Sequence, residues 1–132
     1  MTKSLGAQAT MNAIKDDKMT IDFSRSSNAC AGPVNISKST TIAATYVALK
    51  HIFTDVPANA GVLKPVEFII PEDSFLNVRA PKPVGGYTET ILRLIDVIFQ
   101  AFQNSASDRV NGCAYGTINA LSLSGYLSLI HI

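Results

Sequence analysis

"GVLKPVEFIIPEDSFLNVRAPKPVGG" (Gly61–Gly86) decides how this chain folds. Its core, "VEFIIP", is a short β-prone run in which Val66, Phe68 and Ile70 point one way and Glu67 and Ile69 the other. Only one polar residue lies on the second face, so the sequence predicts a strand buried on both sides. Around it stand Pro65, Pro71, Pro81 and Pro83, a lone Arg79 and the closing pair Gly85-Gly86. Pro81 and Pro83 push Ala80 and Lys82 towards extended backbone. The stretch therefore reads as one strand followed by a long irregular arm.

Working outward, each side carries a helical pattern. Upstream, "SKSTTIAATYVALKHIF" predicts a helix over Ser39–Phe53, capped by Ser37 or Ser39, with Ile42, Tyr46, Leu49 and Phe53 as its apolar face. Downstream, Thr88–Asn104 is the clearest element. Ile91, Ile95, Ile98 and Phe102 form one stripe, and Leu92, Leu94 and Phe99 widen it. That width predicts a helix between layers, packed against the Val66–Ile70 strand. Gly86 allows a sharp entry, Thr88 is the expected N-cap, and Glu89 is placed to pair with Arg93 at i,i+4.

The N-terminal part reads as a hairpin. Met11 and Ala13, then Met19, Ile21 and Phe23, alternate with polar residues about an Asp16-Asp17 turn. Arg25–Asn35 is a Ser/Asn/Gly/Pro loop. Beyond the second helix, Gly112 and Gly116 frame a turn, and Ile118–Leu123 reads as a strand. The order is ββαβαβ with long connections, an α+β fold. No repeat or linker divides the chain.

The bulk properties exclude several functions. A formal net charge of +1, with no aromatics among basic clusters, gives no case for nucleic acid. No apolar run reaches the about 18 residues a membrane helix needs, and "MTKSLGAQAT" lacks a signal-peptide core. Cys30 and Cys113 have no zinc-type spacing and read as reduced thiols of a cytoplasmic protein. Charged residues are 16% of the chain, below the usual share of about 25%, which implies that other protein covers part of the surface.

Few residues invite chemistry. His51 lies about 200° around its helix from Leu49 and reads as a surface side chain. Ser122 sits in no GxSxG elbow. Asp16-Asp17 and Glu72-Asp73 read as solvated turn acids. "GGYTET" is neither GxGxxG nor Walker A, and reads as a helix-entry turn. Arg79, alone among apolar and proline residues, suits either a substrate carboxylate or an internal ion pair. Tyr115 and Asn119, within "NGCAYGTINA", are placed to orient a ligand, although tight packing alone explains the glycines there.

Four stretches in order, "MTIDFSRSSNACAGPVN", "VPANAGVLKPVEFIIPEDSFLNVRAPKPVGG", "ETILRLIDVIFQAF" and "RVNGCAYGTINALSLSG", resemble the hydantoinase B/oxoprolinase family. Its pattern of an asparagine, then G-x-L-x-P-V, then P-E-x-S-x-L-N is followed at Asn59, Gly61–Val66 and Pro71–Asn77. The family includes the B subunit of ATP-dependent N-methylhydantoinases, the matching part of 5-oxoprolinases and the alpha subunit of acetone-type carboxylases. The resemblance implies part of a larger subunit acting on a small cyclic amide beside a hydantoinase A-like partner, and it says little about which residues here do chemistry; Arg79, Glu89, Tyr115 and Asn119 are the candidate substrate-binding residues, and no catalytic residue is assigned. The resemblance implies ATP and a divalent metal for the intact complex. The family's His/Asp metal motif and nucleotide machinery are not in this sequence, so no metal or cofactor ligand is expected here and the chain alone is expected to be inactive. Where many members have an asparagine before the glutamate of the "GG…ET" segment, this chain has Thr88. Two rivals are a fragment of an acetone-type carboxylase alpha subunit and a non-catalytic interaction module. Residues 1–125 are assigned to the family domain. The abruptly apolar "YLSLIHI" at 126–132 resembles translated adaptor read-through from metagenomic sequencing and is expected to be non-native; the alternative is a strand continuing Ile118–Leu123.

Overall fold

The computed structural model describes residues 10–15, 17–112 and 116, with the backbone alone for 10–15. Strand β1 (Thr10–Lys15) turns at Asp17, whose φ of 61° is the left-handed region that aspartate tolerates, and returns as β2 (Lys18–Asp22). Helix α1 (Lys38–Ile52) crosses to β3 (Val66–Ile69), and α2 (Tyr87–Phe102) follows the proline-rich arm. A 3-10 turn, Ala60–Leu63, precedes β3. The sheet order is β1-β2-β3. β1 is antiparallel to β2, and β3 is parallel to it, with Met19 opposite Val66 and Ile21 opposite Phe68. A parallel neighbour requires a long crossover, and α1 supplies it. The fold is α+β. The expected strand at Ile118–Leu123 and the tail at 126–132 lie outside the described residues.

The core joins Ile21 and Phe23 of the hairpin, Leu49 and Ile52 of α1, and Leu94, Ile98, Phe99 and Phe102 of α2. The α1 apolar face is rotated from the expected one. Thr41, Ala44, Thr45, Ala48, Leu49 and Ile52 are buried, while Ile42 and Tyr46 are half-buried. Small side chains let α1 lie close to its neighbours, and the threonine hydroxyls are satisfied internally. Thr41 Oγ1 donates to the Leu76 carbonyl at 2.6 Å, and Thr45 Oγ1 to the Thr41 carbonyl at 2.9 Å. Ser37 is the N-cap, its Oγ accepting from Thr40 N.

Two packing expectations are corrected. β3 is buried on one face only: Val66 is buried, but Glu67 and Ile69 face solvent, because both helices lie on the same side of the sheet. On the open face Lys18 Nζ sits 2.8 Å from Glu67 Oε1. That hydrogen bond, with the glutamate's charge, holds the lysine above its ordinary value of 10.5. Helix α2 packs on α1 rather than on β3. Edge-on ring pairs join the helices, His51 with Phe99 and Phe53 with Phe102, each with centroids 5.9 Å apart. The α2 stripe is half right: Ile98 and Phe102 are buried, Ile91 and Ile95 only partly.

Candidate functional site

The irregular arm after β3 carries no helix or strand period, and it is built from the inside. Ser74, Phe75, Leu76, Asn77 and Val78 are all buried. An isolated bridge pairs Ser74 with Asn28, and the strand-like stitching continues through Ala29 N to Asp73 O, Phe75 N to Ser27 O, Ile36 N to Phe75 O and Val78 N to Ile36 O. Asn77 turns inward, its Nδ2 donating to the Ile70 and Pro71 carbonyls at 3.4 and 3.3 Å. P-E-x-S-x-L-N is thus a core plug whose Ser, Leu and Asn close the arm onto the sheet. Buried polar groups need such partners, and all of these have them.

A second knot ties the end of the arm to the loop before α1. Asn35 is fully buried. Its Oδ1 accepts from Cys30 N at 2.9 Å, and its Nδ2 donates to the carbonyls of Cys30, Gly32 and Pro83. Gly86 N donates to Pro33 O at 2.9 Å, and Thr90 Oγ1 donates to Val34 O. Gly86 is the N-cap of α2 in place of Thr88, which lies inside the helix. Its φ is −95°, so its use is close approach rather than unusual backbone: a Cβ there would stand 3.4 Å from the Pro33 carbonyl oxygen.

With its motif residues turned inward, the arm presents charge outward. Ala29, Glu72, Asp73, Val78, Arg79 and Lys82 are among the residues around an open cavity of about 270 Å³. Arg79 Nη2 lies 3.6 Å from Glu72 Oε1, with the two side chains 82% and 83% exposed. A pair so exposed is weak and exchangeable. Glu89 is exposed on the first turn of α2. The expected Glu89–Arg93 pair is replaced by Arg93 with Asp96, at 3.5 Å, because Asp96 is buried on the inner side of the helix and needs the cation more. Gly116 packs against the same arginine: a Cβ there would come within 3.3 Å of Arg93 Nε. Tyr115 and Asn119 lie outside the described residues. No hydrogen bond or ion pair joins Arg79 to Glu89, so the structure shows these two on separate features. His51 is exposed, with Nδ1 2.8 Å from the Val47 carbonyl, as a surface role requires.

A larger cleft of about 680 Å³ opens between the starts of β2 and β3, the end of α1 and the end of α2. Leu49, Phe53, Val56, Val62, Val66 and Phe102 are among its walls. Walls of this kind offer few donors or acceptors to orient a cyclic amide, which has several of each. Among the described residues no three His, Cys, Asp or Glu side chains converge as a metal site would need. Nor is any helix among them long and apolar enough to cross a membrane.

A small α+β unit whose interior is sealed by a proline-bounded Ser-Leu-Asn plug is the class these features define. The chain belongs to the hydantoinase B/oxoprolinase family, whose sequence profile matches residues 2–128. It is 34% identical over 114 residues to an uncharacterized protein of Methanocaldococcus jannaschii, covering 85% of this chain and 20% of that one. It is 35% identical over 115 residues to 5-oxoprolinase 1 of Arabidopsis thaliana, covering 86% of this chain and 8% of the plant protein. With a 5-oxoprolinase of Dictyostelium discoideum it shares 36% over 94 residues, covering 70% and 7%. The chain therefore spans a fifth or less of these relatives' length. No solved structure matches it.

Proposed function

We propose that this chain is a wall-forming part of the B-type subunit of an ATP-dependent cyclic amide hydrolase, opening a ring such as a hydantoin or 5-oxoproline. The observation that carries the reading is the family motif turned into the core, in a chain that shares about a third of its residues with proteins named 5-oxoprolinase. A segment whose signature side chains hold the fold acts as scaffold, and its outward charges meet the ligand. In this reading the A-type partner phosphorylates a substrate oxygen, which creates the leaving group, and water completes ring opening. ATP and the divalent metal are held by the rest of the complex; the described residues here do not fit a metal, and no step is assigned to one.

Arg79 is the group in this chain suited to a substrate carboxylate. Its exposed pair with Glu72 is easily traded for a bidentate contact with a carboxylate. Glu89, Tyr115 and Asn119 are the chain's other candidate substrate-binding residues. The test is to assay the purified chain with ATP, a divalent metal and each substrate class: a hydantoin, 5-oxoproline, and acetone with bicarbonate. No ring opening, carboxylation or ATP turnover is expected from the chain alone. Turnover above background without other protein would overturn the dependent role. Substrate-dependent carboxylation in a complex reconstituted with an A-type subunit would replace the hydrolase reading by the carboxylase one.

A further inference from the structure

We infer that Asn111-Gly112 is a self-modification site, at which the chain converts Asn111 to aspartate and isoaspartate through a cyclic imide. The chemistry needs an asparagine carboxamide that is free to rotate and a following amide nitrogen with nothing shielding it. Both conditions meet here. Asn111 and Gly112 are exposed and lie outside every helix and strand. A Cβ built on Gly112 would meet nothing within 4 Å, so the glycine is not there for tight packing, unlike Gly116. Among the described residues nothing hydrogen-bonds the Asn111 side chain or the Gly112 amide. The pair also borders an open, water-accessible cavity of about 430 Å³ with Gln100 and Gln103.

The other buried or capping asparagines show the contrast. Asn35 is held by four hydrogen bonds, Asn77 by two, and the Asn59 Oδ1 accepts from Gly61 N at 2.8 Å. Each is followed by a residue with a side chain: Ile36, Val78 and Ala60. Reaching the imide there requires breaking those bonds and crowding a Cβ.

The step balances without an added reagent other than water. The Gly112 nitrogen gives up its proton to solvent base and attacks Asn111 Cγ. An N–Cγ bond forms, the Cγ–Nδ2 bond breaks, and ammonia leaves with the proton it needs. Water then opens the five-membered imide at either carbonyl, giving aspartate or an isoaspartate that carries one extra main-chain carbon. The new carboxylate takes the formal net charge of the chain from +1 to zero. The lengthened backbone falls between Val110, packed on the core, and Gly116, packed on Arg93. Ageing thus acts where the chain docks on α2.

The experiment is incubation of the purified folded chain in warm, mildly alkaline buffer, followed by peptide mapping. Cleavage after Arg109 isolates residues 110–132, and fragment ions assign the change to Asn111 or Asn119. A mass gain equal to replacing NH by O is expected at Asn111 first, with a fraction that accepts methyl groups from an isoaspartyl methyltransferase. Gly112→Ala should slow it roughly tenfold, because the added Cβ shields the nitrogen and narrows the backbone's range. Asn111→Gln should abolish it while the far-UV spectrum stays native. Conversion at Asn35, Asn59 or Asn77 as fast as at Asn111, or an unchanged rate in Gly112→Ala, would overturn the assignment.

Discussion

At the scale of single residues, the structure separates polar groups that hold the fold from polar groups that meet solvent, and the two kinds lie a few positions apart. Asn35 answers four backbone groups from inside the protein, whereas Arg79 reaches outward to a glutamate through water-exposed atoms. Asn35→Ala leaves Cys30 N and three carbonyls without that partner and should cost about 3 kcal/mol, at the upper end for a buried polar group left unsatisfied. Urea unfolding reads this directly, and a midpoint unchanged from the parent would show that the knot is dispensable. Arg79→Met should stay within about 0.5 kcal/mol of the parent in the same experiment, since exposed pairs contribute little. The Lys18–Glu67 pair adds a pH signature. The lysine is raised on folding, so its contribution is fully present below the ordinary lysine value and disappears as pH rises through the folded one. Wild type and Lys18→Met should therefore differ in thermal midpoint at neutral pH and converge in strongly alkaline buffer.

At the scale of elements, periodicity found each helix within two residues of its ends but misjudged which face goes inward. For α1 the sequence pattern points the largest apolar side chains inward, yet Thr41 and Thr45 are fully buried and Ile42 is not. A threonine reads as polar in sequence until its hydroxyl finds a carbonyl, and the partner of Thr41 lies on Leu76, 35 residues away. The same blindness hid the plug at Ser74–Val78, because its hydrogen bonds run to loops near residues 27 and 36 rather than within one strand. The α2 stripe splits for a related reason: a helix packed mainly on α1, with only a slight contact to β1, buries a narrower arc than its apolar sequence could cover. Ile98→Ala should cost about 3 kcal/mol as a buried large-to-small change, and Ile91→Ala clearly less, because Ile91 is only partly covered. Equal losses in denaturant titrations would place both positions in the core and contradict this packing.

At the scale of the molecule, both helices cover one side of a three-stranded sheet, so apolar surface remains where the layers do not close. The candidate site was legible only as a family signature, since the residues that spell it are the ones folded inward and the outward charges look like ordinary turn residues. The cleft walled by Leu49, Phe53, Val62 and Phe102 was not legible at all, because its walls come from four separate stretches of chain. Contiguous apolar surface of this kind should bind an environment-sensitive dye such as anilinonaphthalene sulfonate while the protein is still native. Val56 stands on the rim, 39% exposed, so Val56→Lys places an ammonium at the mouth without burying it. Dye fluorescence should then shift or fall while the unfolding midpoint stays near that of the parent. A substitution on the open sheet face, Ile69→Lys, should leave the fluorescence alone, since Ile69 is at least as exposed, at 45%, but lies outside the cleft. If Ile69→Lys alters the signal and Val56→Lys does not, the dye is reading the bare sheet, and the apolar cleft is closed in solution.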